Sequence, residues 1–252
     1  MSDDRTNPKA AQGAVPTTTG GAAAPAASTS AEVAAFVDKM KALAPSLSTG
    51  RGRLVFAMDA TMSRQPTWDM ALGLQAEMFH TVKAIGGLDV QLVYFRGAGE
   101  CRASRWVADP DQLARLMTSV SCQGGFTQIE KVLTHARIET AKRRVNALVY
   151  VGDCMEEEVD VLCGRAGELS LLGVPVFLFQ EGDSRSASTA FAEIARLTKG
   201  AHCKFDAGSA DQLKALLKAV AVYAAGGRQA LERLGQQSRD GGGARKLLGQ
   251  MR

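Results

Sequence analysis

A chain of 252 residues that is 46% hydrophobic is long enough to bury a sizeable core. Its formal charge is only +4, and the Lys and Arg residues are spread along the sequence, which argues against nucleic-acid binding as the main activity. No run approaches the ~20 apolar residues of a membrane span and the amino terminus lacks the basic-then-apolar pattern of a secretory signal, so a cytoplasmic protein is expected.

Residues 1–30 are dominated by Ala, Thr, Pro and Gly, a composition that cannot offset the entropy of ordering a chain, and are expected to form a disordered leader. Residues 31–50 hold a helix and linker, with Val33, Phe36, Val37, Met40 and Leu43 on one helical face. The run over 53–63, R-L-V-F-A-M-D-A-T-M-S, then predicts a strand buried on both faces, as in a parallel sheet flanked by helices. A helix follows over 68–85, then a strand over 89–95 and an extended run over 101–107 close enough to make an antiparallel hairpin. Helices are predicted at 111–120 and 128–143, a strand at 147–151, a helix at 158–171, a strand at 174–179, a helix at 186–197, a strand at 202–205 and a last helix at 210–224. The sum is a doubly wound, six-stranded, mostly parallel sheet with one antiparallel edge strand, occupying 51–225. Residues 226–252 are left as a basic tail whose Leu247, Leu248 and Met251 form a small apolar face, either a detachable binding segment or a frayed end.

Three segments carry chemistry. The first strand stops at Asp59 and is followed by Thr61 and Ser63; Thr127 follows a Gly-Gly turn ahead of a helical pattern; and the strand L-V-Y-V-G-D-C stops at Asp153. Taken singly, Asp59 and Thr61 equally cap a following helix, Thr127 serves as an N-cap and Asp153 as a loop residue. Taken together they matter, because a doubly wound sheet sets the carboxyl ends of its first and fourth strands side by side at the switch point, where such folds bind ligands. Carboxylates mixed with hydroxyls suit a hard cation such as Mg²⁺ or Mn²⁺ better than zinc.

The order Asp59, Thr61, Ser63, then Thr127, then Asp153 resembles the metal-ion-dependent adhesion site of von Willebrand factor type A (VWA) domains, whose first motif is D-x-[ST]-x-S. The likeness spans residues 51–225 and points to a bacterial-type intracellular member. It implies a non-enzymatic protein-binding module in which hydroxyls matching Thr61, Ser63 and Thr127 approach the cation and carboxylates matching Asp59 and Asp153 bind it directly or through water. An Asp or Glu of a partner protein then completes the coordination. The sequence departs from the pattern at Thr61, where serine is commoner, and at V-G-D-C, where many members carry T-D-G.

An alternative is a haloacid dehalogenase-like, Mg²⁺-dependent phosphatase or phosphotransferase with Asp59 as nucleophile, whose later metal motif Gly152 and Asp153 resemble. Its D-x-D motif is absent, since Ala60 and Thr61 follow Asp59. A dinucleotide-binding enzyme would need G-x-G-x-x-G after the first strand, where D-A-T-M-S-R-Q stands. Met62, Trp68 and Phe126 are candidates for an apolar rim around the site, Trp68 equally for the core. The run Glu156, Glu157, Glu158 suits the positive end of the helix it precedes. Cys101, Cys122, Cys154, Cys163 and Cys203 form no C-x-x-C pair and fit reduced, packed thiols, Cys122 and Cys154 lying in the loops that flank the cleft. His80, His135 and His202 lack ligand spacing.

Overall fold

All eight residues of strand β1 (Gly52–Asp59) are buried, a condition an apolar strand meets only when both sheet faces are covered. In the computed structural model, which describes residues 50–206, 208–237 and 241–251, β1 pairs in parallel with β2 (Leu88–Arg96) on one side and β4 (Ala147–Gly152) on the other. Strands β5 (Val176–Glu181) and β6 (Ala201–Phe205) extend the parallel sheet beyond β4. Strand β3 (Glu100–Ala103) closes the opposite edge, antiparallel to β2, giving the order β3-β2-β1-β4-β5-β6. The expected six-stranded α/β architecture is therefore observed. The expected leader and the helix of residues 31–43 lie outside the described residues.

The pleat of β1 divides its side chains between two cores, Leu54, Phe56 and Met58 on one face and Val55 and Ala57 on the other. Helices α1 (Gln65–Val82), α2 (Pro110–Thr118), α6 (Ala210–Gln236) and α7 (Gly242–Leu248) cover the first face. Helices α3 (Ile129–Lys142), α4 (Val159–Leu171) and α5 (Arg185–Thr198) cover the second. Trp68 belongs to the first core and not to a surface rim: it is 2% exposed, donates its indole N–H to the Met117 carbonyl, and meets Tyr94 edge to face. Among the described residues no helix is long and apolar enough to cross a membrane.

Three stretches differ from expectation. The extended run over 101–107 is regular strand only through Ala103: the Ser104 amide still donates to the Leu92 carbonyl, but the Ser104 hydroxyl accepts from the Leu92 amide and interrupts the ladder before an isolated bridge joins Val107 to Val90. The helix expected over 210–224 is observed and breaks at Gly227, whose φ of 68° and ψ of −167° are not helical and are open to glycine; what was not expected is the second helical stretch that follows to Gln236 and buries Leu231 and Leu234. The final residues are not frayed. Ala244 and Leu247 are fully buried and Met251 is 7% exposed; Arg245 donates to the Gly235 carbonyl, Lys246 to the Lys204 carbonyl, and the Gln250 side chain accepts from the His202 amide at the β6 edge.

Leu247→Ala should therefore lower unfolding stability by about 2–5 kcal/mol in chemical denaturation, the usual range for emptying a buried leucine site. A change within about 0.5 kcal/mol would show instead that this end does not pack in solution.

Candidate metal-binding site

Parallel pairing brings three strands to a common carboxyl edge. The register matches Met58 to Val151 and Gly152 to Gln180, so Asp59, Asp153 and Glu181 fall at the ends of β1, β4 and β5 side by side. Asp59 is 1% exposed, and its Oδ1 accepts from the Thr61 backbone N–H at 2.7 Å. Its Oδ2 is buried with no hydrogen-bond partner, and Oδ1 of Asp153 is in the same state. Thr61 is buried at the start of a short 3₁₀ turn, Met62–Arg64, that exposes Met62 and Ser63 at the surface. The Ser63 hydroxyl lies 3.5 Å from Asp153 Oδ2.

Thr127 reaches this edge by a separate route. The Gln123 amide donates to the Ala60 carbonyl, tying the loop to the residue after β1, and the Phe126 amide donates to the Gly97 carbonyl. Gly125 lies so close to Gly97 that a Cβ would come within 2.2 Å of the Gly97 nitrogen, which is why position 125 ahead of Thr127 is glycine. The Thr127 hydroxyl accepts from the Glu156 amide at 3.0 Å while the Thr127 amide donates to the Glu156 carboxylate at 2.9 Å. Among the described residues no hydrogen bond joins Thr127 directly to Asp59, Ser63 or Asp153. The structure thus brings Asp59, Thr61, Ser63 and Asp153 together, and ties Thr127 to the loop that carries Asp153.

The acidic run obeys the dipole rule on a different helix from the one expected. Glu157 accepts from the amides of Ile129 and Glu130, capping the start of α3 and not its own helix α4. Two further side chains escaped notice in the sequence. Arg64 is 4% exposed, with Nη1 3.2 Å from Asp153 Oδ2 and Nη2 paired with Glu181 and Thr67; Thr67 in turn donates to Glu181. The signal for Glu181 was present: like Asp59 and Asp153, it ends an apolar strand, V-F-L-F-Q-E.

Electrostatics at this edge follow from burial. Burial, with Asp153 adding repulsion, raises the Asp59 carboxyl from 3.8 to about 6, against the opposing Thr61 hydrogen bonds and Arg64 charge. Burial and the Asp153 carboxylate push the Cys154 thiol up to about 12, and burial together with Asp59 raises Cys122, so both are neutral side chains near pH 7. Among the described residues no three His, Cys, Asp or Glu side chains converge on one point. What the edge offers is two carboxylates with an unshared oxygen each and neutral hydroxyls beside them, a donor set that fits a hard divalent cation.

No family model matches the chain, and no curated protein matches it in sequence. Solved structures do match in shape. The SpRpn10 VWA domain aligns with a TM-score of 0.55 at 11% identity, over 68% of this chain and 95% of that one. The fold is that of a VWA domain. An aerotolerance-related membrane protein from Bacteroides fragilis aligns with a TM-score of 0.51 at 18% identity, covering 65% of this chain and 94% of that one. Proximal thread matrix protein 1 from the mussel byssus, in a structure described as having a zinc-occupied MIDAS motif, aligns with a TM-score of 0.52 at 17% identity, over 68% of this chain and 45% of that one. In the VWA fold of the present chain, Asp59 and Asp153 sit where β1 and β4 adjoin, at the reversal of strand order.

A carboxyl raised by burial binds a proton more readily in the folded chain than in the unfolded one. The stability tied to its neutral form is fully present below about pH 4 and lost as pH rises through about 6. Asp59→Asn keeps an acceptor for the Thr61 amide and removes the charge, so with chelator at pH 7.5 it should be more stable than wild type by up to about 3 kcal/mol. The gap should close as pH falls toward 4. Equal melting temperatures at both pH values would contradict a buried, uncompensated carboxylate at this position.

Proposed function

We propose that this chain is a divalent-cation-dependent protein-binding module, without a catalytic step. Asp59, Thr61, Ser63, Thr127 and Asp153 hold Mg²⁺ or Mn²⁺, and an Asp or Glu of a partner protein completes the coordination. The observation that carries this reading is the pair of buried, unpartnered oxygens, Asp59 Oδ2 and Asp153 Oδ1, at one sheet edge. A buried carboxylate oxygen without a donor is costly, and a cation is the group that offsets the cost at two such oxygens at once. The zinc-occupied MIDAS motif of a structural neighbour lends support from outside the chain.

Bound, the cation supplies a positive charge with a coordination position open to an outside anion. The protein's residues do the rest. Neutral hydroxyls at Thr61, Ser63 and Thr127 quench that charge less than carboxylates would. The hydrogen bonds between Thr127 and Glu156 hold two of the ligand-bearing loops against each other, so less ordering is needed at the moment of binding. Met62 on the turn after β1 and Phe126 on the Thr127 loop, 64% and 65% exposed, present large apolar side chains for a partner to cover around its carboxylate. The phosphatase alternative lacks the second carboxylate it would use as acid and base, since Thr61 stands there, while a phosphotransferase of that superfamily with Thr at this position is separated by an aryl phosphate assay.

Millimolar Mg²⁺ or Mn²⁺ should raise the melting temperature of the purified protein by a few degrees. An excess of ligand tenfold over its dissociation constant contributes about 1.4 kcal/mol, roughly 3–5 °C for a domain of this size. Asp59→Ala should abolish the gain while remaining folded by circular dichroism. No shift with either ion in folded wild type would overturn the metal site, and turnover of an aryl phosphate lost in Asp59→Asn would replace the binding module with an enzyme.

A further inference from the structure

The edge that carries the candidate ligands already contains one buried cation belonging to the chain. Arg64 follows Ser63 directly, its side chain is 5% exposed, and its guanidinium reaches two carboxylates on two different strand ends, Asp153 after β4 and Glu181 on β5. Thr67, one helical turn on, accepts from Arg64 and donates to Glu181, so the guanidinium is held by three side chains. The two oxygens of Asp153 are treated differently. Oδ2 faces Arg64 and Ser63, while Oδ1 is buried without a partner.

We propose that Arg64 is the residue that sets the cation affinity of the cleft: it holds Asp153 by one oxygen, leaving the other for the metal, and opposes metal binding with its own fixed charge. The inference rests on the metal-binding reading above and deepens it. A guanidinium cannot lose its proton in a protein, so its charge persists whatever the pH. Paired to Asp153, it withdraws part of the negative charge that a divalent ion would otherwise use, and it repels that ion through a medium of lower dielectric than water. The cation is then held less tightly by its own site and is left a stronger acceptor for an anion from outside. Glu181 and Thr67 keep the guanidinium from following Asp153 into the metal's position. Arg64 is accordingly a positioning residue, acting through Asp153 and not touching the partner.

The test is calorimetric titration of chelator-stripped protein with Mn²⁺, the probe being the metal alone, in wild type, Arg64→Lys, Arg64→Gln, Glu181→Gln and the double variant Arg64→Gln/Glu181→Gln. Removing only the arginine strands Glu181 in a buried setting, which is destabilising, so the double variant keeps the pocket neutral and foldable. Circular dichroism and thermal unfolding establish that each form is folded. The expected order of Mn²⁺ affinity is Arg64→Gln tightest, the double variant at least threefold tighter than Glu181→Gln, and Arg64→Lys close to wild type because it keeps the charge. The Mn²⁺ electron paramagnetic resonance signal should lose its free-ion component at lower protein concentration in the double variant. A folded double variant that binds Mn²⁺ no more tightly than folded Glu181→Gln overturns the inference while leaving the metal site standing. Failure of every folded form to bind overturns both.

Discussion

The parallel pairing of β1 with β4 is the constraint on which the rest depends. Each strand is buried on both faces, so neither can slide without moving its alternating side chains between two cores, and the register that matches Met58 to Val151 is the one that sets Asp59 beside the loop carrying Asp153. The same burial that stabilises the apolar part of β1 strips water from the carboxylate at its end. Asp59 is where the hydrophobic core and the candidate site make opposite demands, and its raised carboxyl pKa is the measure of that conflict.

The polar groups around this edge divide into those that build it and those left open. Glu157 satisfies the first amides of α3, Glu156 locks Thr127, and Arg64 with Glu181 and Thr67 closes a buried polar cluster beneath the turn after β1. Against this background of satisfied donors and acceptors, Asp59 Oδ2 and Asp153 Oδ1 stand out. Natural proteins leave few buried polar atoms unpaired, and with the Tyr150 hydroxyl beside them three lie at one edge of the sheet, a mark of a binding site more than of a defect. The surrounding network also explains how two adjacent carboxylates are tolerated: Arg64 pairs with Asp153 and its charge opposes the repulsion at Asp59.

Away from the site, the structure shows how a helix face finds its complement. Beyond the non-helical Gly227, Leu231 and Leu234 join the core that the preceding helix enters, and Leu247 of α7 and Met251 after it join the same core. Three apolar residues on a short basic segment look dispensable in isolation, because a seven-residue helix is unstable by itself and its worth lies wholly in what it covers.

Much of this was legible beforehand. Uninterrupted apolar runs of strand length specify β1, β4 and β5, helical periodicity specifies the covering helices, and abrupt stops at Asp59 and Asp153 mark the carboxyl edge, since these patterns are local and obey fixed periods of two and 3.6. The alternatives left open at Trp68 and in the final residues were decided only by packing: whether a tryptophan is rim or core, and whether an apolar segment is loose or docked, depends on neighbours far away in the chain. The same holds for Arg64, whose partners Asp153 and Glu181 are 89 and 117 residues distant, and for Glu157, which caps a helix that begins 28 residues before it. Local pattern determined which elements form and where each strand ends. Only tertiary structure decided which charges meet there, because a side chain's partner is set by the order in which strands lie side by side, and not by the order in which they occur.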